Sequence, residues 1–171
     1  TEGLRQLGAK VDTAIPHRMK DGYGLNDNLI HEAYEAGVQC IVTCDNGIAA
    51  APQVALAKEL GMKVVITDHH EVPFEECEGV KKEILPPADV IIDPKQAACE
   101  YPFKSICGGV VAYKFIQALC QQMQYTRSKE LLRELLPFAA MATVCDVMEL
   151  KDENRIIVKN GLRLMDTTSN Q

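Results

Sequence analysis

No apolar run in this sequence is long enough to cross a bilayer, for which roughly 20 residues are needed. The longest, around residues 110–119, is interrupted by Tyr113, Lys114 and Gln117. The start, Thr1-Glu2-Gly3-Leu4-Arg5, lacks the basic residues and apolar block of a signal peptide. It also lacks an initiating Met, and the expectation is a chain that begins inside a longer protein. An excess of positive charge is missing as well: 18 Lys and Arg stand against 24 Asp and Glu, a net charge of −6. A non-specific grip on nucleic acid over the whole surface needs the opposite sign, so contact with a polyanion falls to a local site. Internal repeats and low-complexity segments are absent. No second Cys or His pair follows Cys40 and Cys44 at zinc-finger spacing, which argues against a structural zinc site. The seven cysteines sit mostly in apolar stretches and are expected as buried thiols in a reducing cytoplasm.

What is present is ordinary globular material, 47% hydrophobic and 25% charged over 171 residues, enough for a substantial core. Residues 1–8 read as the tail of a helix, with Leu4 and Leu7 on one face and Gly8 as the stop. Residues 10–16 alternate, with Val11, Thr13 and Ile15 on one side, and predict a strand. A basic, Gly-containing loop follows. Asn26 caps a helix to Ala36, and residues 39–44 form a short apolar strand. Residues 49–60 predict a helix that tolerates Pro52 in its first turn, and residues 63–67 a second buried strand. Residues 71–87 read as an acidic loop with room for a short helix, and residues 89–92 as a further strand. Helices are expected over 105–124, 129–145 and 154–165, the second kinked or split at Pro137.

Short apolar strands alternating with helices predict a parallel α/β sheet flanked by helices, followed by a helical segment. Such sheets bind ligands at the carboxyl ends of their strands. The candidates are therefore Asp45-Asn46-Gly47, Asp68-His69-His70 and Asp93-Pro94. Asp and His together suit borderline divalent cations such as manganese, and carboxylates with water suit magnesium. Neighbouring strands lie about 5 Å apart, so Asp45 and the histidines can reach one ion. The competing readings are Asp45 as a mere helix cap and the paired histidines as idle surface residues. Asp93-Pro94 reads as an ordinary turn. Asp146, at the end of an apolar helix, reads by itself as a helix boundary.

Together these residues resemble the DHH phosphoesterase superfamily. Thr67-Asp68-His69-His70-Glu71 looks like its signature. Thr43-Cys44-Asp45-Asn46-Gly47-Ile48 resembles the preceding acidic motif, and Ala142-Thr143-Val144-Cys145-Asp146-Val147 the following one. The stretches Ile15-Pro16-His17-Arg18, Gly22-Tyr23-Gly24-Leu25-Asn26, Asp93-Pro94-Lys95, Tyr101-Pro102-Phe103-Lys104 and Gly108-Gly109-Val110-Val111-Ala112-Tyr113-Lys114 resemble RecJ-type single-strand-specific DNA exonucleases.

The resemblance implies a Rossmann-like DHH domain over 1–150. Its first strand and first acidic motif would precede Thr1. Residues 151–171 would begin a connector towards a C-terminal domain. It implies two ions, Mn2+ or Mg2+, with Asp45, His69 and Asp146 as metal ligands. Asp68 would sit at or orient the metal site, and His70 would contact the scissile phosphate. His17, Arg18 and Tyr23 would lie along a single-stranded DNA path. The implied activity is 5′-to-3′ hydrolysis of single-stranded DNA in repair and recombination, with no membrane contact and with these 171 residues alone nearly inactive. Two alternatives stay open: a DHH enzyme for short oligonucleotides, cyclic dinucleotides or pyrophosphate, and a non-catalytic DHH scaffold.

Overall fold

The computed structural model describes residues 1–16, 24–77 and 79–165. It divides into two compact units, Ala14–Lys104 and a second made of Thr1–Thr13 with Ser105–Gln171.

The unit Ala14–Lys104 holds a parallel sheet of β1 (Cys40–Val42), β2 (Lys63–Thr67) and β5 (Val90–Ile92), with β2 in the middle. Ile41 pairs with Val64 across the first junction, and Thr67 with Ile92 across the second. One sheet face presents Ile41, Val64, Ile66 and Ile91 to α2 (Asp27–Glu35) and α3 (Ala51–Glu59). Ile30, Val54, Ala57, Val64 and Ile66 are fully buried there. The Asn26 side chain accepts from Leu29 N and caps α2, and a Pro sits in the first turn of α3, both as expected. At the sheet end away from Asp68, Asp89 accepts from Val64 N, Lys58 and Lys63 and pins the start of β5 to β2.

Two expectations fail in this unit. Residues 10–16, the first of which belong to the other unit, form no strand. Val11 O takes its hydrogen bonds from the Arg5 guanidinium, and Ile15 is 85% exposed. Residues 71–87 hold neither a plain loop nor a helix but an antiparallel hairpin of β3 (Phe74–Cys77) and β4 (Val80–Glu83). Its register opposes Glu75 to Lys82 and Glu76 to Lys81, and Lys81 Nζ lies 4.4 Å from the Phe74 ring centroid. Opposite charges facing across a pair, with a cation on an aromatic face, favour this register. Gly79, at φ +78, makes the turn.

The helical unit contains α1 (Glu2–Gln6), α4 (Gly108–Gln122), α5 (Ser128–Cys145) and α6 (Asp152–Met165). Leu4 and Leu7 pack on Ile116, Cys120 and Leu131, as the spacing predicts. The helix α5 runs unbroken through Pro137. A Cβ on Gly109 would lie 2.4 Å from Ala142 Cβ, and one on Gly161 would lie 2.4 Å from Ala140 Cβ, so both neighbours of α5 approach it through glycine. The expectation of buried cysteines holds for Cys107 and Cys120 but not for Cys40, Cys44 and Cys145, which are exposed. Cys40 opens a three-residue strand whose outer positions are open, Cys44 lies two residues past its end, and Cys145 ends α5. No helix among the described residues is long and apolar enough to cross a membrane.

Candidate metal centre

The sheet extends past its last paired residues into two turns that carry the polar groups. Thr43 N donates to Val65 O and Asp45 N to Thr67 O, so the β1–β2 ladder continues to Asp45. Two threonines brace this end. Thr67 Oγ1 donates to Thr43 O at 2.6 Å, and Thr43 Oγ1 donates to Asn46 O at 2.6 Å. Asp45 itself sits at φ +64, a left-handed conformation that Asp tolerates better than most residues. Gly47 follows at φ +115, and a Cβ there would meet Thr43 Oγ1 at 2.9 Å and Ile66 Cγ2 at 3.2 Å. The Asp-Asn-Gly order is thus set by sterics: the chain must reverse tightly against the strand it has just left.

Asp68 is 1% exposed and is surrounded by donors. Its Oδ2 accepts from Ile48 N at 3.0 Å. Its Oδ1 accepts from His69 N and lies 2.6 Å from His70 Nδ1. A buried carboxylate needs such partners, and these fix the Asp45 turn, the backbone of the histidine pair and the ring of His70 at once. His69 Nε2 lies 2.9 Å from Asp45 Oδ1 with a side chain only 10% exposed, whereas the His70 side chain is 58% exposed. The two rings lie 4.6 Å apart. One oxygen of Asp45 and one nitrogen each of His69 and His70 all fall within 4.8 Å of one another. This mixed carboxylate–imidazole set fits a divalent cation of the manganese type.

The remaining expected residues stand as follows. Asp146 is the C-terminal cap of α5, its N donating to Ala142 O, and it belongs to the helical unit. His17, Arg18 and Tyr23 lie outside the described residues. Asp93 does form the expected turn, with Oδ1 accepting from Lys95 N at 2.8 Å, but it is 2% exposed rather than a surface residue. Burial pushes its carboxyl up, with a smaller push from Asp68 and an opposing pull from His69 and His70. Its position after an apolar strand, like that of Asp68, makes it a strand-end candidate, and the turn reading alone does not foresee its burial.

A parallel sheet with its acidic and imidazole groups gathered past the strand ends defines an α/β domain whose rim carries a donor set of the kind that divalent cations take. The DHH family N-terminal domain matches residues 1–143, and the chain belongs to this family. It is 43% identical over 166 residues to the single-stranded-DNA-specific exonuclease RecJ of Bacillus subtilis, covering 97% of this chain and 19% of that protein. The Escherichia coli protein of the same name is 35% identical over 167 residues, 93% of this chain and 27% of the relative. The chain therefore spans about a quarter or less of the length of these curated relatives. A crystal structure of exonuclease RecJ bound to manganese superposes with a TM-score of 0.80 at 30% identity, covering 98% of this chain and 39% of that one. RecJ from Thermus thermophilus in complex with Mn2+ gives 0.74 at 27% identity, covering 98% and 22%.

Proposed function

We propose that this chain is the central part of the catalytic core of a metal-dependent, single-strand-specific DNA exonuclease of the RecJ type, working 5′ to 3′. The observation that carries this reading is the convergence of Asp45, His69 and His70 at one strand-end rim, in a chain whose solved relatives were crystallised with manganese. Residues 1–150 form the DHH domain in this reading, and residues 151–171 begin a connector.

Asp45 and His69, joined by Asp146, would hold the divalent cations, Mn2+ or Mg2+, two in number. Such ions, when bound, lower the pKa of a water and stabilise charge on the leaving oxygen. The chain's own side chains do the rest. Asp68 anchors both turns from beneath. It holds His70 by Nδ1, which leaves Nε2 of that exposed ring able to meet a phosphate oxygen. Arg18 would fork onto backbone phosphates, His17 would lie beside them, and Tyr23 would stack on a base. A cytoplasmic role in DNA repair and recombination follows from the same resemblance.

The test is digestion of 5′-labelled single-stranded DNA by the full-length protein with Mn2+, alongside duplex DNA and dinucleotides. Mn2+-dependent loss of the long single strand, with the duplex spared, is the expected result. Preference for dinucleotides would favour the small-substrate branch of the family, and Mn2+ binding without any hydrolysis would favour a scaffold.

A further inference from the structure

Asp68 and Asp93 occupy matching positions on adjacent strands. Thr67 pairs with Ile92, Asp68 N donates to Ile92 O, and each Asp is the next residue of its strand. Both carboxylates are buried, yet their surroundings differ. Asp68 engages Ile48 N, His69 N and His70 Nδ1. Asp93 takes Lys95 N on Oδ1, and its buried Oδ2 has no hydrogen-bond partner among the described residues. A buried carboxylate oxygen left without a donor is costly.

The strand order places His69 past the end of the neighbouring strand. His69 leaves the central strand β2, with Asp45 past the end of β1 on one flank and Asp93 past the end of β5 on the other. The Nε2 of His69 is turned to the Asp45 flank. A neutral imidazole carries one N–H, so a cation on Nε2 places the proton on Nδ1. Histidines that ligate metals characteristically donate that second N–H to a carboxylate or carbonyl, which fixes the tautomer and the ring.

We propose that Asp93 is a positioning residue of the metal centre, its Oδ2 accepting the Nδ1–H that ligation at Nε2 leaves on His69. The inference rests on the reading of Asp45 and His69 as cation ligands. It gives the Asp-Pro-Lys turn a task in holding the ring: Lys95 N occupies Oδ1 and leaves Oδ2 as the oxygen to receive a donor.

The test compares the unsubstituted chain with Asp93→Asn and Asp93→Leu, using Mn2+ alone in titration calorimetry. Spectra of 15N-labelled histidine side chains in the Zn2+-loaded protein accompany it. Asp93→Leu should weaken Mn2+ binding about 10- to 100-fold, and Asp93→Asn, which keeps an acceptor oxygen, by less than about tenfold. The Zn2+-loaded spectrum should show a slowly exchanging His69 Nδ1–H. That proton moves upfield in Asp93→Asn, where the acceptor is uncharged, and exchanges freely in Asp93→Leu. If Asp93→Leu does not fold, the Asn spectrum decides alone. Equal Mn2+ affinity in all folded variants, or an unchanged His69 signal, overturns the inference while the metal centre stands. No Mn2+ binding by the unsubstituted chain overturns the metal centre and the inference with it.

Discussion

Asp68 Oδ2 accepts a hydrogen bond from Ile48 N at 3.0 Å across 20 positions of sequence, so the carboxylate that opens the histidine turn also closes the turn carrying Asp45. Asp68→Ala should therefore act on stability before it acts on chemistry. The buried N–H groups of Ile48 and His69 lose a charged acceptor, and the expected loss is about 3 kcal/mol in urea denaturation. A variant as stable as the unsubstituted protein would show that the two turns are held by something else.

His69→Ala and Asp45→Asn are expected to behave in the opposite way. Their carboxylate–imidazole contact lies at the rim, outside the packed cluster of Ile30, Val54, Val64 and Ile66. Each should abolish Mn2+ binding in calorimetry while changing the unfolding free energy by no more than about 1 kcal/mol. In the full-length protein, His69→Ala and Asp146→Ala should both abolish turnover with the fold intact. Near-normal turnover in either would remove that residue from the ligand set.

Asp89 sets a pH dependence away from the site. Hydrogen bonds from Lys58, then from Val64 N, hold its carboxyl well below the ordinary carboxylate range. A depressed folded-state value means stability fully present above the unfolded pKa of about 3.9 and lost as pH falls towards the folded value. The thermal midpoint should drop between about pH 4 and pH 2, and Asp89→Asn should flatten that drop. An identical acid profile in the variant would contradict this.

Gly109→Ala tests the close approach of α4 to α5. The added Cβ would lie 2.4 Å from Ala142 Cβ, so one helix must move. The expected cost is about 1–3 kcal/mol by chemical denaturation, without a change in Mn2+ affinity.

The elements that could be read from the sequence are those whose determinants are local. The strand β2 was legible to its end residues because the β-branched run Val64-Val65-Ile66 lies between Gly61 and Asp68, with Lys63 and Thr67 at its ends. The same regularity misled at residues 10–16, where Val11, Thr13 and Ile15 alternate but the backbone bonds to the Arg5 side chain instead of a neighbouring strand. The β3–β4 hairpin escaped because its register is written in Glu–Lys oppositions rather than in apolar alternation. At the site, Asp45, Asp68, His69 and His70 were legible because each lies just past the end of an apolar strand. Asp93 follows one too, but Asp-Pro is so common in turns that its burial could not be seen without the neighbouring strand. The exposure of Cys40 and Cys44 reflects how short β1 is, a property of pairing rather than of composition.

The hydroxyls of Thr43 and Thr67 do their bonding within the polypeptide, before any ligand arrives. The entropy lost in ordering the Asp45 turn is thus incurred on folding rather than on cation capture. The rim is preorganised, unlike small zinc modules that fold only around their ion. Amide exchange at Asp45, Ile48 and Asp68, whose N–H groups are all internally bonded, should accordingly be slow in metal-free protein. On the proposed reading, cation uptake would be a local substitution of solvent by fixed ligands, selecting among ions by size and donor preference rather than by reshaping the chain.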